Sequence, residues 1–176
     1  MVTGVPGSGK TTLASALAPE LGAPLLSLDA IKDALYGAGG EPRAAFELRL
    51  AAEAALVTQL DPVACPAVVD IWIAPQRDTK RVKQLLLPHA DDLVELLCRV
   101  PADVAVRRYA ARRRDPPHLP PDEPTLQRIR QAVDLLEPMG IGRCIEIDTT
   151  GPVEMAELTR WLRGRHNGGG PSRHGG

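Results

Sequence analysis

Residues 4–11 read Gly-Val-Pro-Gly-Ser-Gly-Lys-Thr and contain every fixed position of the phosphate-binding motif G-x-x-x-x-G-K-[ST]. In this motif the glycines let successive backbone N–H groups point at phosphate oxygens, while Lys10 supplies a positive charge near the β- and γ-phosphates. The hydroxyl group of Thr11 is placed to bind Mg²⁺. The motif therefore predicts a nucleoside triphosphate site, whose binding residues are Gly4, Pro6, Gly7, Ser8, Gly9, Lys10, Thr11 and Thr12.

The residues on either side of the motif have the pattern that it requires. Val2 and Thr3 form a short predicted strand, and residues 11–18 continue as a helix with Leu13 and Leu17 on one face. An anion at the start of that helix meets unpaired amide groups and the positive end of the helix dipole. The alternative is a glycine-rich turn that matches the motif by chance, and the flanking elements count against it.

Composition limits the kind of protein. A chain of 176 residues, 44% of them hydrophobic, can form one domain with a packed core. The 21 basic and 22 acidic residues nearly balance, so no overall charge attracts nucleic acid or an anionic membrane. No apolar run has the length of a membrane span, and the phosphate loop occupies the place of a secretion signal. We therefore expect a cytoplasmic protein.

Strand-like apolar segments alternate with helical segments along the chain. This alternation predicts an α/β fold with a parallel sheet covered by helices on both faces, and ligands beyond the carboxyl ends of the strands. The predicted strands lie near residues 2–3, 24–28, 67–71, 93–98 and 144–148. The predicted helices lie near residues 10–18, 30–36, 43–60, 76–87, 102–113, 125–137 and 153–163.

Two segments depart from this alternation. Residues 115–124 contain five prolines, which exclude a helix and remove backbone donors, so we predict an exposed connection at the tip of a helical hairpin. Together with the basic end of the preceding helix it would form a lid over about residues 107–124. The glycine-rich residues 165–176 cannot bury apolar surface and are expected to be disordered. The predicted domain therefore covers residues 1–164.

Two carboxylates are predicted at the sheet edge where the phosphate loop lies. Asp29 ends the second predicted strand, where it could take the proton of a substrate hydroxyl group. Its alternative role is to cap the helix beginning at Ala30, and the two roles are compatible. Asp70 ends the third strand, where an acid can hold a water of the Mg²⁺ shell, although capping a turn is the alternative. Asp29 is the candidate base, and Thr11 and Asp70 are the candidate metal-binding residues.

Five arginines lie within eight residues of one predicted helix. Arg108 and Arg112 are four residues apart, so their guanidinium groups would share a helix face and could clamp a transferring phosphoryl group. A solvated basic face, or a patch for nucleic-acid phosphates, is the alternative. Because solubility does not require this density of charge, we expect phosphate contact. The five residues are Arg107, Arg108, Arg112, Arg113 and Arg114.

Polar residues elsewhere carry weaker signals. Lys32 lies one turn after Asp29 and could contact an acceptor or a phosphate, although an exposed lysine is the commoner outcome. Two arginines after the third strand are weaker candidates of the same kind, whereas two histidines and two glutamates are expected at the surface. The three widely spaced cysteines are expected to be structural. The residues concerned are Arg77, Arg81, His89, His118, Glu47, Glu53, Cys65, Cys98 and Cys144.

Four segments together resemble the small P-loop kinases that phosphorylate hydroxyl groups. They read Gly-Val-Pro-Gly-Ser-Gly-Lys-Thr-Thr-Leu-Ala, Leu-Ser-Leu-Asp-Ala-Ile-Lys-Asp-Ala-Leu, Val-Val-Asp and Arg-Arg-Tyr-Ala-Ala-Arg-Arg-Arg. The nearest-looking group is the AAA-type ATP-binding family of predicted kinases, which is similar to polynucleotide 5′-hydroxyl kinases, chloramphenicol phosphotransferase, gluconate kinase and zeta toxins. The likeness covers most of residues 1–163.

The resemblance implies a P-loop NTPase three-layer sandwich, with a five-stranded parallel sheet in the order 2-3-1-4-5. It also implies ATP and Mg²⁺ as cofactors, Asp29 as the general base, and Arg108 and Arg112 as lid arginines that bind phosphates. Residues 148–152 match the region where these kinases pass the adenine. Polynucleotide kinases have an arginine three residues after the base, where this chain has Lys32, and this departure weakens bidentate phosphate recognition at the acceptor.

The sequence thus predicts a kinase, monomeric or homodimeric, that transfers the γ-phosphoryl group of Mg·ATP to a hydroxyl group of a small molecule or nucleotide. In this hypothesis Lys10 stabilises phosphate charge, Asp29 activates the acceptor, and Arg108 and Arg112 close over the transition state. Two alternatives remain open. One is an NTP-binding switch module with slow hydrolysis and a protein partner. The other is a nucleic-acid 5′-hydroxyl end kinase that uses the arginine-rich helix to contact the backbone.

Overall fold

The computed structural model describes residues 1–38, 45–63, 66–72, 74, 77–112 and 118–164. Its strands are β1 (Val2–Thr3), β2 (Leu25–Ser27), β3 (Val68–Asp70), β4 (Val94–Arg99) and β5 (Arg143–Asp148). Its helices are α1 (Lys10–Leu21), α2 (Leu28–Ala38), α3 (Ala45–Leu60), α4 (Thr79–Leu86), α5 (Ala102–Ala110), α6 (Glu123–Asp134) and α7 (Met155–Arg163), with a 3₁₀ turn at Leu87–His89. Each strand lies within one residue of its predicted bounds.

The strands of the described chain form one parallel sheet in the order β2-β3-β1-β4-β5. This confirms the fold and the strand order that the resemblance implied. β1 has only two residues but lies at the centre, where Val2 pairs with Asp70 of β3 and with Leu96 of β4. Because parallel strands end at a common edge, the phosphate loop after β1 opens beside the carboxyl ends of β3 and β4.

Helices cover both faces of the sheet, as the apolar pattern predicts. On one face α1 and α7 pack through Leu13, Leu17 and Leu158 onto Val2 and Leu96. On the other face one cluster lies under α3 and α4, and a second lies under α5 and α6. The first of these clusters contains Leu26, Leu28, Ala52, Leu56, Val69, Ile71, Val82 and Leu86. The second contains Val5, Leu97, Val100, Val104, Ala105, Tyr109, Ile129 and Leu136.

The second helix begins earlier than predicted, and this moves Asp29. β2 ends at Ser27 and α2 begins at Leu28, so the prediction that Asp29 closes a strand is wrong. Asp29 lies instead in the first turn of α2. The reason is that Leu28 is buried in the core as a helical residue, although it continues the apolar run of the strand. The amide of Ala30 donates to the hydroxyl oxygen of Ser27 at 3.4 Å, so Asp29 does not cap a helix that begins at Ala30.

The arginine-rich helix is shorter than predicted. α5 ends at Ala110, so Arg112 lies beyond the helix and does not share a helical face with Arg108. On the other side of the connection, α6 begins at Glu123 with Pro124 in its first turn, where a proline removes no donor that the helix needs. The prediction that helix 102–113 carries both candidate arginines is therefore wrong.

Several predictions fall outside the described residues. They concern residues 113–117 of the lid, Cys65, and the tail 165–176. Of the described cysteines, Cys98 is buried, and burial raises the pKa of its thiol to about 12. Within the ranges that the structure covers, no helix is both long enough and apolar enough to cross a bilayer.

Candidate active site

The phosphate loop leaves β1 and enters α1 along a path that only glycine permits. Gly4, Gly7 and Gly9 have positive φ values of 149°, 84° and 89°. Gly7 packs so closely on α5 that an added Cβ would lie 2.1 Å from the carbonyl oxygen of Ala105. The loop and the first turn of α1 contain all of the predicted nucleotide-binding residues, which are Gly4, Pro6, Gly7, Ser8, Gly9, Lys10, Thr11 and Thr12.

Two polar side chains of the phosphate loop are buried. Lys10 begins α1 and is only 7% exposed, so its charge is largely removed from water. The hydroxyl group of Ser8 is fully buried and has no hydrogen-bond partner among the described residues. A buried polar group without a partner lowers stability, so such groups in native proteins usually have an explanation. A phosphate oxygen bound in the loop would pair with the charge of Lys10, whereas the Ser8 hydroxyl group is packed against Gly4.

Asp70 provides a hydrogen-bond acceptor at the end of β3, the strand that pairs with β1. It is 3% exposed at the end of β3, and its Oδ2 accepts a hydrogen bond from the Ser27 hydroxyl at 3.3 Å. Its Oδ1 has no partner in the described part of the chain. The charges of Lys10 and Asp70 both act on the pKa of Cys98, after the larger effect of burial, so the two groups lie near the same thiol.

The residues present fit Mg²⁺ carried by a nucleotide. Within the described ranges, no three His, Cys, Asp or Glu side chains are grouped to hold a metal ion. Mg²⁺ commonly keeps several waters and uses one or two protein groups plus phosphate oxygens. The free Oδ1 of Asp70 and the hydroxyl group of Thr11 have the chemistry for that partial coordination. Asp70 and Thr11 do not supply enough ligands to bind a metal ion without the nucleotide.

Asp29 is an ionised carboxylate beside the loop. Its Oδ1 lies 3.2 Å from Nζ of Lys32, and its side chain is 34% exposed. Burial raises the pKa of Asp29, but Lys32, Lys10 and His118 together lower it by more, so the pKa lies below its ordinary value. The charge of Lys10 acts on Asp29, so the carboxylate lies within electrostatic range of the phosphate loop. At neutral pH this carboxylate is a hydrogen-bond acceptor that can also accept a proton.

His118 is not the isolated surface residue that was expected. Its Nε2 lies 2.9 Å from Oδ1 of Asp33 in α2, and its side chain is half-buried. The neighbouring carbonyl oxygen of Leu119 accepts a hydrogen bond from the Tyr109 hydroxyl at 2.8 Å. The chain that enters α6 is therefore tied both to α2 and to α5. His118 thereby lies close enough to Asp29 to affect its pKa.

Arg108 contacts the loop that follows β5. Its Nη1 donates to the carbonyl oxygen of Thr149 at 2.9 Å, and its Nη2 donates to that of Thr150 at 2.8 Å. A Cβ added to Gly9 would lie 3.6 Å from Nη1, so the guanidinium group also lies against the phosphate loop. The amide of Arg112 donates to the carbonyl oxygen of Tyr109 at 3.3 Å, but its exposed side chain forms no hydrogen bond or ion pair with another described residue. The structure thus brings Arg108, and not Arg112, to the loop.

Thr149 lies in the segment 148–152 that matched the adenine region, but its contact with the phosphate loop was not predicted. It is 6% exposed, and its hydroxyl group donates to the carbonyl oxygen of Ser8 at 2.5 Å. Its amide donates to the carbonyl oxygen of Arg99 at 3.0 Å. The available signal was its place among polar residues directly after the last strand, at the edge where ligands bind.

The expectation that Glu53 lies on the polar side of its helix is wrong. Glu53 is 5% exposed, and its Oε1 lies 3.0 Å from Nε of Arg49 and 3.2 Å from Nη2 of Arg81. The physical reason is that α3 packs against α4 and turns this charged face inward. Arg81 is therefore paired with protein carboxylates and is not free to bind a phosphate.

Asp78 completes this buried charged cluster. Its Oδ2 lies 3.1 Å from Nη2 of Arg49 and 3.0 Å from Nη2 of Arg77, and it accepts a hydrogen bond from the amide of Ala74. Burial raises the pKa of Asp78, but the hydrogen bonds from Arg77 and Ala74 and the charge of Arg49 lower it below its ordinary value. The cluster joins α3 to α4 and fixes the start of α4.

The family model described as an AAA domain matches residues 1–136 of the chain. The chain belongs to this family of P-loop kinases. This confirms the resemblance read from the phosphate loop and the segments that follow it. No curated protein sequence matches the chain.

Solved structures of kinases share this fold. A protein from Chloroflexus aurantiacus J-10-fl with a provisional kinase assignment is 26% identical, with a TM-score of 0.76 over 93% of this chain and 96% of that chain. A sugar kinase from Janibacter sp. HTCC2649 is 23% identical, with a TM-score of 0.62 over 92% and 91%. A gluconokinase from Sinorhizobium meliloti 1021 is 24% identical, with a TM-score of 0.53 over 90% and 85%.

Proposed function

We propose that this family member is an ATP-dependent kinase that phosphorylates a hydroxyl group of a small molecule or nucleotide. The observation that carries the proposal is a complete phosphate loop after β1 at the same sheet edge as Asp29, which lies two residues after β2 and whose pKa the charge of Lys10 helps to lower. The family and the fold support a phosphotransferase. The sugar kinase and gluconokinase of the same fold act on hydroxyl-bearing compounds, which favours an alcohol acceptor.

The phosphate loop binds the triphosphate in this proposal. The loop amides and the ammonium group of Lys10 donate to the β- and γ-phosphate oxygens, where negative charge must be stabilised during transfer. When bound, Mg²⁺ neutralises charge on the phosphates, and it would be held by Thr11 directly and by Asp70 through water.

Asp29 orients and deprotonates the acceptor. Its Oδ1 contacts Lys32, which leaves Oδ2 to accept a hydrogen bond from the acceptor hydroxyl. The lowered pKa makes Asp29 a weak base. A weak base is sufficient because phosphoryl transfer has a loose transition state, in which positioning of the nucleophile matters more than early proton removal. The proton moves to Asp29 as the bond from the acceptor oxygen to the γ-phosphorus forms and the bond from that phosphorus to the β,γ-bridging oxygen breaks, which releases ADP.

Two arginines are proposed to contact the phosphates. A guanidinium group has five N–H donors, and Arg108 uses only two of them on the carbonyl oxygens of Thr149 and Thr150. The remaining donors are available for a phosphate oxygen over Gly9. Arg112 stays a proposed phosphoryl-binding residue, since its exposed side chain is not held by another described group.

The described part of the basic segment does not favour a nucleic-acid backbone as the partner. Arg107 pairs with Asp103 at 3.5 Å, and Arg108 is turned toward protein carbonyl groups. A phosphate-backbone interface needs several cations that face solvent together. Arg108 therefore fits a nucleotide site better than an extended basic surface, whereas Arg107, whose side chain is 69% exposed, is compatible with either.

The proposal is tested by following the γ-phosphoryl group. Purified protein is incubated with Mg²⁺, ATP labelled at the γ-phosphate, and separate pools of sugars, sugar acids and nucleosides. We expect label in a phosphorylated acceptor, and turnover lower by about 10²-fold or more for Asp29→Asn with little change in ATP affinity. Asp61→Asn is the matched control, because Asp61 pairs with His89 at 2.7 Å beyond the end of α3.

One result would contradict the proposed kinase, and another would contradict only the role of Asp29. Label that appears only as inorganic phosphate with every pool would indicate a slow hydrolase or switch module. Wild-type turnover in Asp29→Asn would remove this carboxylate from the mechanism, while transfer itself would still define a kinase.

A further inference from the structure

The buried hydroxyl group of Thr149, directly after β5, forms a hydrogen bond with the phosphate loop. The hydroxyl group of Thr149 has two carbonyl acceptors within reach, Ser8 at 2.5 Å and Arg99 at 3.2 Å. The carbonyl oxygen of Arg99 already accepts the amide of Thr149 at 3.0 Å. The shorter contact, to Ser8, is therefore the main hydrogen bond of this hydroxyl group.

The Ser8 carbonyl group belongs to the peptide that also carries the N–H group of Gly9. In a planar trans peptide the C=O and the following N–H point in opposite directions. A hydrogen bond that holds the Ser8 carbonyl oxygen toward Thr149 therefore turns the Gly9 N–H away from β5 and into the loop. Gly9 has a φ of 89°, which glycine adopts without strain, so the hydrogen bond serves to orient this peptide.

The partner of Ser8 is itself held firmly. Oδ1 of Asp148 accepts the amide of Thr150 at 2.8 Å, which fixes the turn that contains Thr149. Arg108 then binds the carbonyl oxygens of Thr149 and Thr150. Thr149 can therefore act as a fixed hydrogen-bond partner for the phosphate loop.

We propose that Thr149 is a positioning residue for phosphate binding, which aims the Gly9 N–H at the phosphates by fixing the Ser8–Gly9 peptide. The inference rests on the proposed nucleotide site, but not on phosphoryl transfer. Thr149 is not part of the phosphate-binding motif, because it follows β5 and contacts the loop from a neighbouring segment. Its hydroxyl group does not need to touch the nucleotide.

Calorimetric titration of Thr149→Val and Thr149→Ser tests this role. Valine keeps the shape of threonine but leaves the Ser8 carbonyl oxygen without its donor, whereas serine keeps the hydroxyl group. We expect Thr149→Val to bind Mg·ATP and Mg·tripolyphosphate about tenfold more weakly, and by the same factor, because the effect lies in the phosphate part of the site. Thr149→Ser is expected to stay within about twofold of the wild type for both ligands.

A matched control separates positioning from general stability. Thr159 is also buried, and its hydroxyl group donates to the carbonyl oxygen of Met155 at 2.8 Å within α7. Thr159→Val thus removes a comparable hydrogen bond away from the loop, and we expect it to lower the melting temperature but not the affinity for either ligand. If Thr149→Val does not fold, Thr149→Ala replaces it in the same titrations.

The outcomes distinguish this inference from the proposed function. Unchanged binding in Thr149→Val, a loss for Mg·ATP but not for tripolyphosphate, or an equal loss in Thr149→Ser would each overturn the inference, even in an active kinase. Binding that weakens as expected in a protein that phosphorylates no acceptor would support the inference and refute the kinase. A wild type that binds neither ligand would refute both.

Discussion

Replacing Gly7 with alanine tests how closely the phosphate loop packs against α5. Gly7 has a φ of 84°, and a Cβ added there would lie 2.1 Å from the carbonyl oxygen of Ala105. The gap must widen by about 0.9 Å to reach 3.0 Å, below which real Cβ contacts are essentially never seen. Because the obstacle is helix backbone and not a flexible side chain, the loop itself has to move.

Two effects determine the size of the change. A residue with a side chain at positive φ costs about 1–2 kcal/mol. Overpacking of a close contact adds about 1–3 kcal/mol. We therefore expect Gly7→Ala to lower the free energy of unfolding by about 2–5 kcal/mol. A displacement near 1 Å in the groups that position the phosphates can also reduce turnover by about 10²-fold.

Gly22→Ala is the control for the backbone effect alone. Gly22 ends α1 with a φ of 62°, and a Cβ there would meet nothing within 4 Å. We expect this variant to lose about 1–2 kcal/mol of stability and to bind Mg·ATP like the wild type. Urea unfolding without nucleotide measures the stability of both variants, and calorimetric titration measures their binding. Equal losses of stability in the two variants, with wild-type binding in both, would refute the close packing of the loop on α5.

Two further variants test the charged groups of the structure. Lys32→Met removes the nearest cation from Asp29, so burial should raise the pKa of Asp29. Turnover should then fall on acidification at a higher pH than in the wild type, as a pH–rate profile would show. Asp78→Asn removes one partner of a buried ion pair, and urea unfolding should show a loss of about 3 kcal/mol at neutral pH. Because the folded pKa of Asp78 is lowered, its contribution is present above the unfolded pKa of about 3.9 and is lost as the pH falls through the folded value.

Each of these two expectations has a clear contrary result. An unshifted acid limb in Lys32→Met would mean that Lys32 does not set the charge of Asp29, or that Asp29 does not govern turnover. A stability difference between Asp78→Asn and the wild type that persists unchanged at strongly acidic pH would mean that the ionised carboxylate is not its source.

Short-range patterns made the fold and the phosphate loop predictable. The conformation of the motif at residues 4–11 can be predicted locally, because its glycines, Lys10 and Thr11 lie within eight consecutive residues. The apolar runs also located the strands, since a buried parallel strand is apolar at nearly every position. The strand order came from the resemblance and was confirmed by the structure.

The ends of helices and the long-range partners were not predictable in this way. Leu28 looks like the end of a strand, and only its packing in the core shows that it begins α2 and places Asp29 in a helix. Glu53 looks like a surface residue until α4 brings Arg81 beside it. Thr149 acquires its role from Ser8, and no local pattern joins residues at that separation.

That separation has a consequence for how the protein reaches its working state. The hydrogen bond from Thr149 to Ser8 connects positions 141 residues apart, and β5 must first dock on β4 for it to form. Contacts between such distant positions form at a high entropic price and therefore late in folding. The glycine motif is synthesised long before β5, and its geometry is completed only after β5 has been made. Tight binding of a nucleotide would thus indicate that β5 has docked on the sheet.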